Sequence, residues 1–322
     1  MIDKVTVLLA TYRPNTIYFE HLLQSIDSQT YENLELLIRD DSASEEQFEI
    51  VKSLVELNIR KIPYKIEKNP SNFGSNRTFE LLAKESSSKY VAFCDQDDVW
   101  LPEKIELLMK TIKMNEAVLC YSDLSIINSN GEFVTSSFRN VNRRIKHMEG
   151  ENLLSFFFRR NCVTGCTMLV TRSVLEKAMP FLHDYFVHDH WIALIAATEG
   201  RIAYVNKPLV KYRLHDQNQI GATLLKDITS KDDYVNVKLS KEKEKYMALY
   251  NLSLFRTHEM REVKKLLEWV NIRINLFNKI SLKNIINMLP GLRVDTELTL
   301  FEIGIAILPR KIGKVVINKL SN

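Results

Sequence analysis

Three carboxylates fall within four residues in the segment Asp95-Gln96-Asp97-Asp98-Val99-Trp100, directly after the apolar run Tyr90-Val91-Ala92-Phe93-Cys94. That run reads as a buried strand, so the carboxylates sit where charge is costly. They repel one another, and a buried carboxylate needs a partner to stay ionised. A hard divalent cation such as Mg2+ or Mn2+, which prefers oxygen ligands, would relieve that cost. The competing reading is structural: a polar strand-end turn in which Asp98 or a neighbour caps a helix opened by Pro102. The spacing alone leaves both open.

The elements around the cluster decide what it can meet. Val5-Thr6-Val7-Leu8-Leu9-Ala10 predicts a strand, followed by the polar turn Thr11 to Asn15 and a helix with Phe19, Leu22, Leu23 and Ile26 on one face. Leu34 to Ile38 predicts a second strand, running into Arg39-Asp40-Asp41-Ser42, and a helix from about Glu45 to Leu57 follows with Phe48, Val51, Leu54 and Val55 inward. Lys61 to Glu67 predicts a third strand, and the loop Asn72-Phe73-Gly74-Ser75-Asn76 leads to a helix through Phe79, Leu82 and Ala83. This alternation implies a largely parallel α/β sheet covered on both faces. Ligands of such sheets bind at the carboxyl ends of the strands. Thr11, Asp41 and Asp95 to Asp98 all follow such ends, so separate strands deliver them to one edge.

Further along, Ala117 to Tyr121 predicts a strand, Asn128 to Gly131 a turn, and the basic stretch Ser136 to Glu149, with Arg139, Arg143, Arg144 and Lys146, a mobile loop. Cys166 to Thr171 reads as another strand, His188 to Ala197 as a helix, and Tyr204 to Lys211 as a final strand pair. Phe156-Phe157-Phe158, Met109 and Met114 read as packing residues. Beyond about Ile220 the pattern is helical, which divides the chain into an α/β body, 1–220, and a helical appendage, 221–322.

Composition sets outer bounds. The chain has 322 residues, with 45% hydrophobic and 26% charged, which are soluble globular values. Cys94, Cys120, Cys162 and Cys166 lack zinc-ligand spacing and predict buried, reduced thiols. The N-terminus runs straight into a strand, and no stretch reaches the roughly 20 apolar residues that span a bilayer. The expected location is cytoplasmic, at the inner face of the cell membrane. Asn251 to Asn322 carries twelve Lys or Arg against six Asp or Glu, while the net charge of the whole chain is +4. A basic tail on a slightly acidic body suits anionic lipid, nucleic acid or another protein, or is merely solvated.

Read in order, the segments resemble family 2 glycosyltransferases of the GT-A fold. The resemblance rests on Val7-Leu8-Leu9-Ala10-Thr11-Tyr12, Ser28-Gln29-Thr30-Tyr31, Leu36 to Ser42, and Asp95 to Trp100. Thr164-Gly165-Cys166-Thr167-Met168, His188-Asp189-His190-Trp191 and Tyr212-Arg213-Leu214-His215 complete it. It covers roughly residues 4–220. Within the family, the Asp-Gln-Asp-Asp-Val-Trp and His-Asp-x-Trp forms look most like bacterial rhamnosyltransferases of surface polysaccharide and cell-wall assembly.

The resemblance implies a GT-A, Rossmann-like mixed sheet flanked by helices, and a set of roles. Asp97 would hold the metal, with Asp95 turned to the ribose or the metal and Asp98 in the same cluster. His215 would be a further metal or diphosphate contact, or an ordinary surface histidine. Arg77 would pair with the diphosphate, or stay a solvent-exposed helix-start arginine. Thr11, Tyr12, Arg13 and Gln96 belong to the nucleotide-sugar site, although Thr11 could simply shape the turn. Asp41 would accept the N3–H of uracil or thymine. Asp189 is the candidate general base; its alternative is a carboxylate placed by the helix dipole. The family usually shows Glu-Asp at this point, and His188 replaces the Glu. Acceptor contacts would come from Asp98, Trp100, His188, His190 and Trp191.

The implied reaction is inverting, metal-dependent transfer of a sugar, with dTDP-L-rhamnose as the expected donor and a UDP-hexose or UDP-N-acetylhexosamine as the alternative. The expected acceptor is a lipid-linked glycan, with no nucleic-acid partner, and the basic helices after Asn251 are expected to attach peripherally to membrane. A non-catalytic scaffold of the same fold would not need the full carboxylate set. A nucleotidyltransferase would need a Gly-rich loop after the first strand, and Thr11 to Asn15 has no glycine.

Overall fold

A computed structural model of the chain describes residues 2–141, 145–215, 228–252 and 254–321. The chain divides into two compact units, Met1–Asp216 and Gln217–Asn322. The boundary expected at Ile220 lies outside the described residues, as do Arg143 and Arg144.

The first unit opens with β1 (Val5–Thr11), α1 (Thr16–Asp27), β2 (Leu34–Asp40), α2 (Glu45–Asn58), β3 (Tyr64–Lys68), α3 (Ser75–Glu85) and β4 (Tyr90–Cys94). The four strands lie parallel in the order β3-β2-β1-β4. Both faces of β1 and β4 are buried, which explains their unbroken apolar runs. Each buried Val or Leu contributes roughly 1.5–3 kcal/mol. The helices start on local signals: Asn15 caps α1 by accepting from the backbone N–H of Ile17 and Tyr18, and Ser44 caps α2.

The second half of the sheet is mixed. After β5 (Val99–Trp100) and α4 (Lys104–Met114) come β6 (Leu119–Ile127), β7 (Phe133–Thr135), α5 (Leu154–Phe157), β8 (Met168–Thr171), α6 (Arg172–Ala178), α7 (His188–Glu199) and β9 (Ile202–Arg213). Antiparallel β8 joins β4 to β6, and β9 runs parallel to β6. The expected strand pair at Tyr204 to Lys211 is one long strand whose register against β6 shifts near Asp123. The loop expected over Ser136 to Glu149 contains a short 3-10 turn, Phe138–Asn140. Phe157, Phe158 and Met109 pack in the core as expected, but Met114 ends α4 with 74% of its surface exposed. All four cysteines are free and buried.

The second unit is helical: α8 (Lys231–Asp233) passes through a π-helical stretch, Tyr234–Leu239, into α9 (Ser240–Asn251). Then follow α10 (Thr257–Asn278), α11 (Leu282–Met288), a 3-10 segment (Leu289–Arg293), α12 (Thr296–Ile307) and α13 (Arg310–Ser321). Buried Arg273 organises it, donating from Nε (2.8 Å) and Nη2 (2.6 Å) to Glu302 and from Nη1 to Glu242 (2.7 Å). The Tyr234 hydroxyl donates to the same Glu302 at 2.7 Å. The planar guanidinium fork satisfies a buried carboxylate that would otherwise be costly. No helix among the described residues is long and apolar enough to cross a membrane.

Candidate active site

The strand register fixes one edge. Thr11 pairs with Asp40, and Leu9 with Cys94, so the segments after β1, β2 and β4 emerge side by side. Gln96 clips two of them together: its Oε1 accepts from Tyr12 N at 2.7 Å and its Nε2 donates to Tyr12 O at 3.2 Å. The Tyr12 ring stays 45% exposed, and Arg13 beside it adopts a positive φ of 43°. The Thr11 hydroxyl donates to Asp40 at 3.1 Å, so it shapes the turn.

Asp41 is buried and accepts from Asn69 Nδ2 (2.7 Å), Phe73 N (2.8 Å) and Gly74 N (2.7 Å). It thereby fixes the Asn72–Gly74 loop, where Gly74, at φ 79°, takes a conformation most side chains avoid. Three of the roughly four acceptor directions of a carboxylate are used. Arg77 pairs with buried Glu80 at 2.7 Å and its side chain is partly exposed, closer to the helix-start arginine than to a committed diphosphate ligand.

The carboxylate cluster splits into an outer and an inner part. On the outside, His215 Nε2 lies 2.7 Å from Asp97 Oδ2, and both side chains remain partly accessible. The two side chains are hydrogen-bonded to each other, at a separation close to the roughly 3 Å between cis ligands of an octahedral ion. On the inside, the ligand atoms of Asp95, Asp98 and Cys166 lie within 4.8 Å of one another. Burial, followed by the Asp98 and Asp95 charges, pushes the Cys166 thiol well up. A protonated soft ligand there fits a hard cation poorly. Asp97 and His215 are the partly accessible pair of the cluster.

Asp98 does not cap α4, which starts at Lys104 behind Glu103 with no side-chain cap. Fully buried, Asp98 accepts from Arg213 N at 3.2 Å through Oδ1, while its Oδ2 has no hydrogen-bond partner. Burial, then the charges of Asp97 and Asp95, drive its carboxyl well up.

Two basic residues at this cluster escape sequence reasoning. Arg213 donates from Nε to Asp97 O at 3.0 Å, clamping the loop to β9, and its guanidinium lies 4.3 Å from the Tyr18 ring centroid. Lys104 is fully buried, donating from Nζ to Cys166 O at 2.6 Å over the Trp100 ring. Burial pulls it down to about 7, against the opposing pull of the Cys94, Cys166, Asp98 and Asp95 charges. The available signal was position: Lys104 precedes buried Leu108 by four residues and so continues the inward stripe of α4.

Asp189 occupies the first turn of α7 and is nearly buried. It accepts from Gly165 N (3.1 Å), Asn161 Nδ2 (3.1 Å) and His190 N (2.5 Å). Burial pushes its carboxyl up to about 6 despite these three donors. Burial also pushes Asp95 up to about 7, with the Asp97 and Asp189 charges adding to the rise. The carboxylate from α7 thus acts electrostatically on the cluster after β4. Gly165 makes this approach possible, because a Cβ there would stand 2.6 Å from His188 Nε2.

Most of the residues expected at the acceptor have partners within the protein. Trp100 is buried against Lys104. Trp191 is buried and donates from Nε1 to Ala178 O at 2.7 Å. His190 Nε2 is bonded to Phe157 O at 2.6 Å. These side chains hold α7 and α4 in place, as Asp98 holds the strand-end loop; Trp100, Trp191 and Asp98 are buried and His190 is half-buried. His188 is buried too, stacked on Phe93 and tilted against Phe79, with neither ring nitrogen hydrogen-bonded. Burial lowers it to about 3, so it is neutral.

The family model for glycosyl transferase family 2 matches residues 7–178, more than half of the chain. The chain belongs to this family. It is a glycosyltransferase, which sets aside the scaffold and nucleotidyltransferase readings. Among curated relatives it is 27% identical over 215 residues to an Escherichia coli protein, UDP-Glc:alpha-D-GlcNAc-diphosphoundecaprenol beta-1,3-glucosyltransferase WfgD, covering 64% of this chain and 75% of the relative. It is 25% identical over 227 residues to the dTDP-rhamnosyl transferase RfbG of Shigella flexneri, covering 67% and 74%. The fold is also that of S. aureus TarS 1–349, solved in complex with UDP-GlcNAc, at TM-score 0.57 and 16% identity over 95% of this chain and 82% of that one. The family 2 relatives of similar identity differ in donor, so rhamnosyl specificity does not follow from membership.

Proposed function

We propose that this family 2 glycosyltransferase transfers L-rhamnose from dTDP-L-rhamnose, with inversion, to a lipid-linked glycan of a surface polysaccharide. The observation that carries the reaction type is the Gly165-Cys166 step: Asp189 accepts from Gly165 N at 3.1 Å, and the ligand atoms of Cys166, Asp95 and Asp98 lie within 4.8 Å of one another, which joins a base candidate and a carboxylate cluster in one site. Asp189 takes the proton of an acceptor hydroxyl, whose oxygen bonds to the anomeric carbon as the nucleoside diphosphate departs from the opposite face. A β-linked donor then yields an α-L-rhamnoside. Asp97 and His215 are the residues to hold a divalent cation, which when bound would supply Lewis-acid stabilisation of the diphosphate charge. Tyr12, Arg13 and Gln96 frame the nucleotide beside them, and Asp41 has one acceptor direction left for a pyrimidine N3–H.

A UDP-glucose donor is the second reading, favoured by the similarity to the Escherichia coli glucosyltransferase. Thymine and uracil share the N3–H, so Asp41 does not separate them. A screen of dTDP- and UDP-sugars, read by thermal shift and by release of nucleoside diphosphate, tests the proposal. The largest response is expected for dTDP-L-rhamnose. A larger response to UDP-glucose moves the assignment to the second reading, and no response to any donor overturns both.

A further inference from the structure

The helical unit carries an apolar surface that its own core does not use. The inner face of α11 packs conventionally: Met288 is buried with Leu276 and Ala306, and Ile285 packs against them. The adjoining face is also apolar. Leu282, Ile286 and Leu289 follow one another at helical spacing, and they are 75%, 52% and 48% exposed. Ile280 extends the stripe at the α10–α11 corner, where Asn284 Nδ2 donates to Lys279 O at 2.7 Å and holds the turn. The apolar surface of this short helix therefore runs on past its packed face, and the part in water does not suit it.

The charge around the stripe identifies what covers it. Residues 279–294 contain Lys279, Lys283 and Arg293 and no Asp or Glu, and all three basic residues are exposed. A second copy of the chain docked through this face would bring like charges together, which is unfavourable. An anionic bilayer accepts both components: apolar side chains enter the headgroup boundary, and the basic residues meet lipid phosphates.

We propose that α11 and its flanks form a docking face for an anionic membrane, with Leu282, Ile286 and Leu289 inserted and Lys279, Lys283 and Arg293 at the headgroups. This narrows the general expectation for the basic tail to one face. It does not depend on the donor or on the catalytic assignment.

The experiment is flotation of the full chain with phosphatidylcholine vesicles and with vesicles that also contain phosphatidylglycerol. Salt-sensitive binding to the anionic vesicles is expected. Leu282→Glu with Ile286→Glu should abolish it, and Lys283→Glu with Arg293→Glu should weaken it by at least roughly fivefold per residue. Lys264→Glu with Lys265→Glu, at exposed positions of α10 outside the stripe, should change it much less. Unchanged melting temperature and UDP binding would show that the variants are folded. The proposal is overturned if the wild type ignores anionic vesicles, or if the α10 and α11 variants lose binding equally. It is also overturned if sedimentation velocity shows a dimer that the Leu282→Glu, Ile286→Glu variant breaks. Loss of UDP binding by a membrane-competent wild type would instead count against the nucleotide-sugar reading.

Discussion

His215 Nε2 and Asp97 Oδ2 stand 2.7 Å apart although 118 residues separate them in the chain. The contact depends on β9, which carries the Tyr212-Arg213-Leu214-His215 segment back to the loop after β4. Arg213 fastens that return by donating to the Asp97 carbonyl. If this pair holds the cation, His215→Ala should weaken Mn2+-dependent UDP binding by at least about tenfold. Metal-free binding should stay unchanged. Calorimetric titration with Mn2+ and with EDTA separates the two, and equal loss in both conditions would assign His215 to the nucleotide instead.

Asp189→Asn should keep nucleotide affinity and lose transfer. A general base contributes typically about 10^2- to 10^4-fold, so kcat should fall by that much while the Kd for UDP or dTDP moves less than about twofold. Near-normal turnover would remove Asp189 from its role.

The acid limb of the pH profile should lie near pH 6. Burial raises Asp189 to about 6, and only the ionised form accepts a proton, so activity falls as pH drops through that value. The stability linkage has the opposite sign. A carboxyl raised above its usual 3.8 favours the folded state while neutral, and that contribution is lost as pH rises between about 4 and about 6. The site works in the range where it is the less stable form. A kcat/KM profile flat from pH 7 to about pH 5 would contradict the assignment.

Lys104→Met removes the buried Nζ that donates to the Cys166 carbonyl. Leaving one partner of a buried hydrogen bond unsatisfied costs about 1–3 kcal/mol, so a loss of that order in denaturant unfolding is expected. An unchanged unfolding free energy would show that the Lys104–Cys166 contact does not hold the cluster together.

Local pattern carried most of the fold. The buried strand Tyr90–Cys94 and the helix through Phe19 and Ile26 follow directly from apolar run and period. The convergence of Thr11, Asp41 and Asp95 follows from parallel topology alone. What the sequence could not show is which polar side chains the fold turns inward. Trp100, His190 and Trp191 stand beside the motif carboxylates in the chain, yet their rings are engaged by Lys104, the Phe157 carbonyl and the Ala178 carbonyl. Proximity in sequence suggested ligand contacts, and packing against neighbouring elements decided otherwise. Lys104 was missed for the converse reason: a lysine at a helix start normally points to water, and its burial here rests on the Cys166 carbonyl and the Trp100 ring that the tertiary fold brings to it.

Nucleotide binding by the wild-type chain tests the cation–diphosphate site most directly. Calorimetric titration of UDP and dTDP, with Mn2+ and with EDTA, should show binding that tightens by at least about tenfold with the metal. Absence of binding, or identical affinity in both conditions, would contradict a cation–diphosphate site at Asp97 and His215.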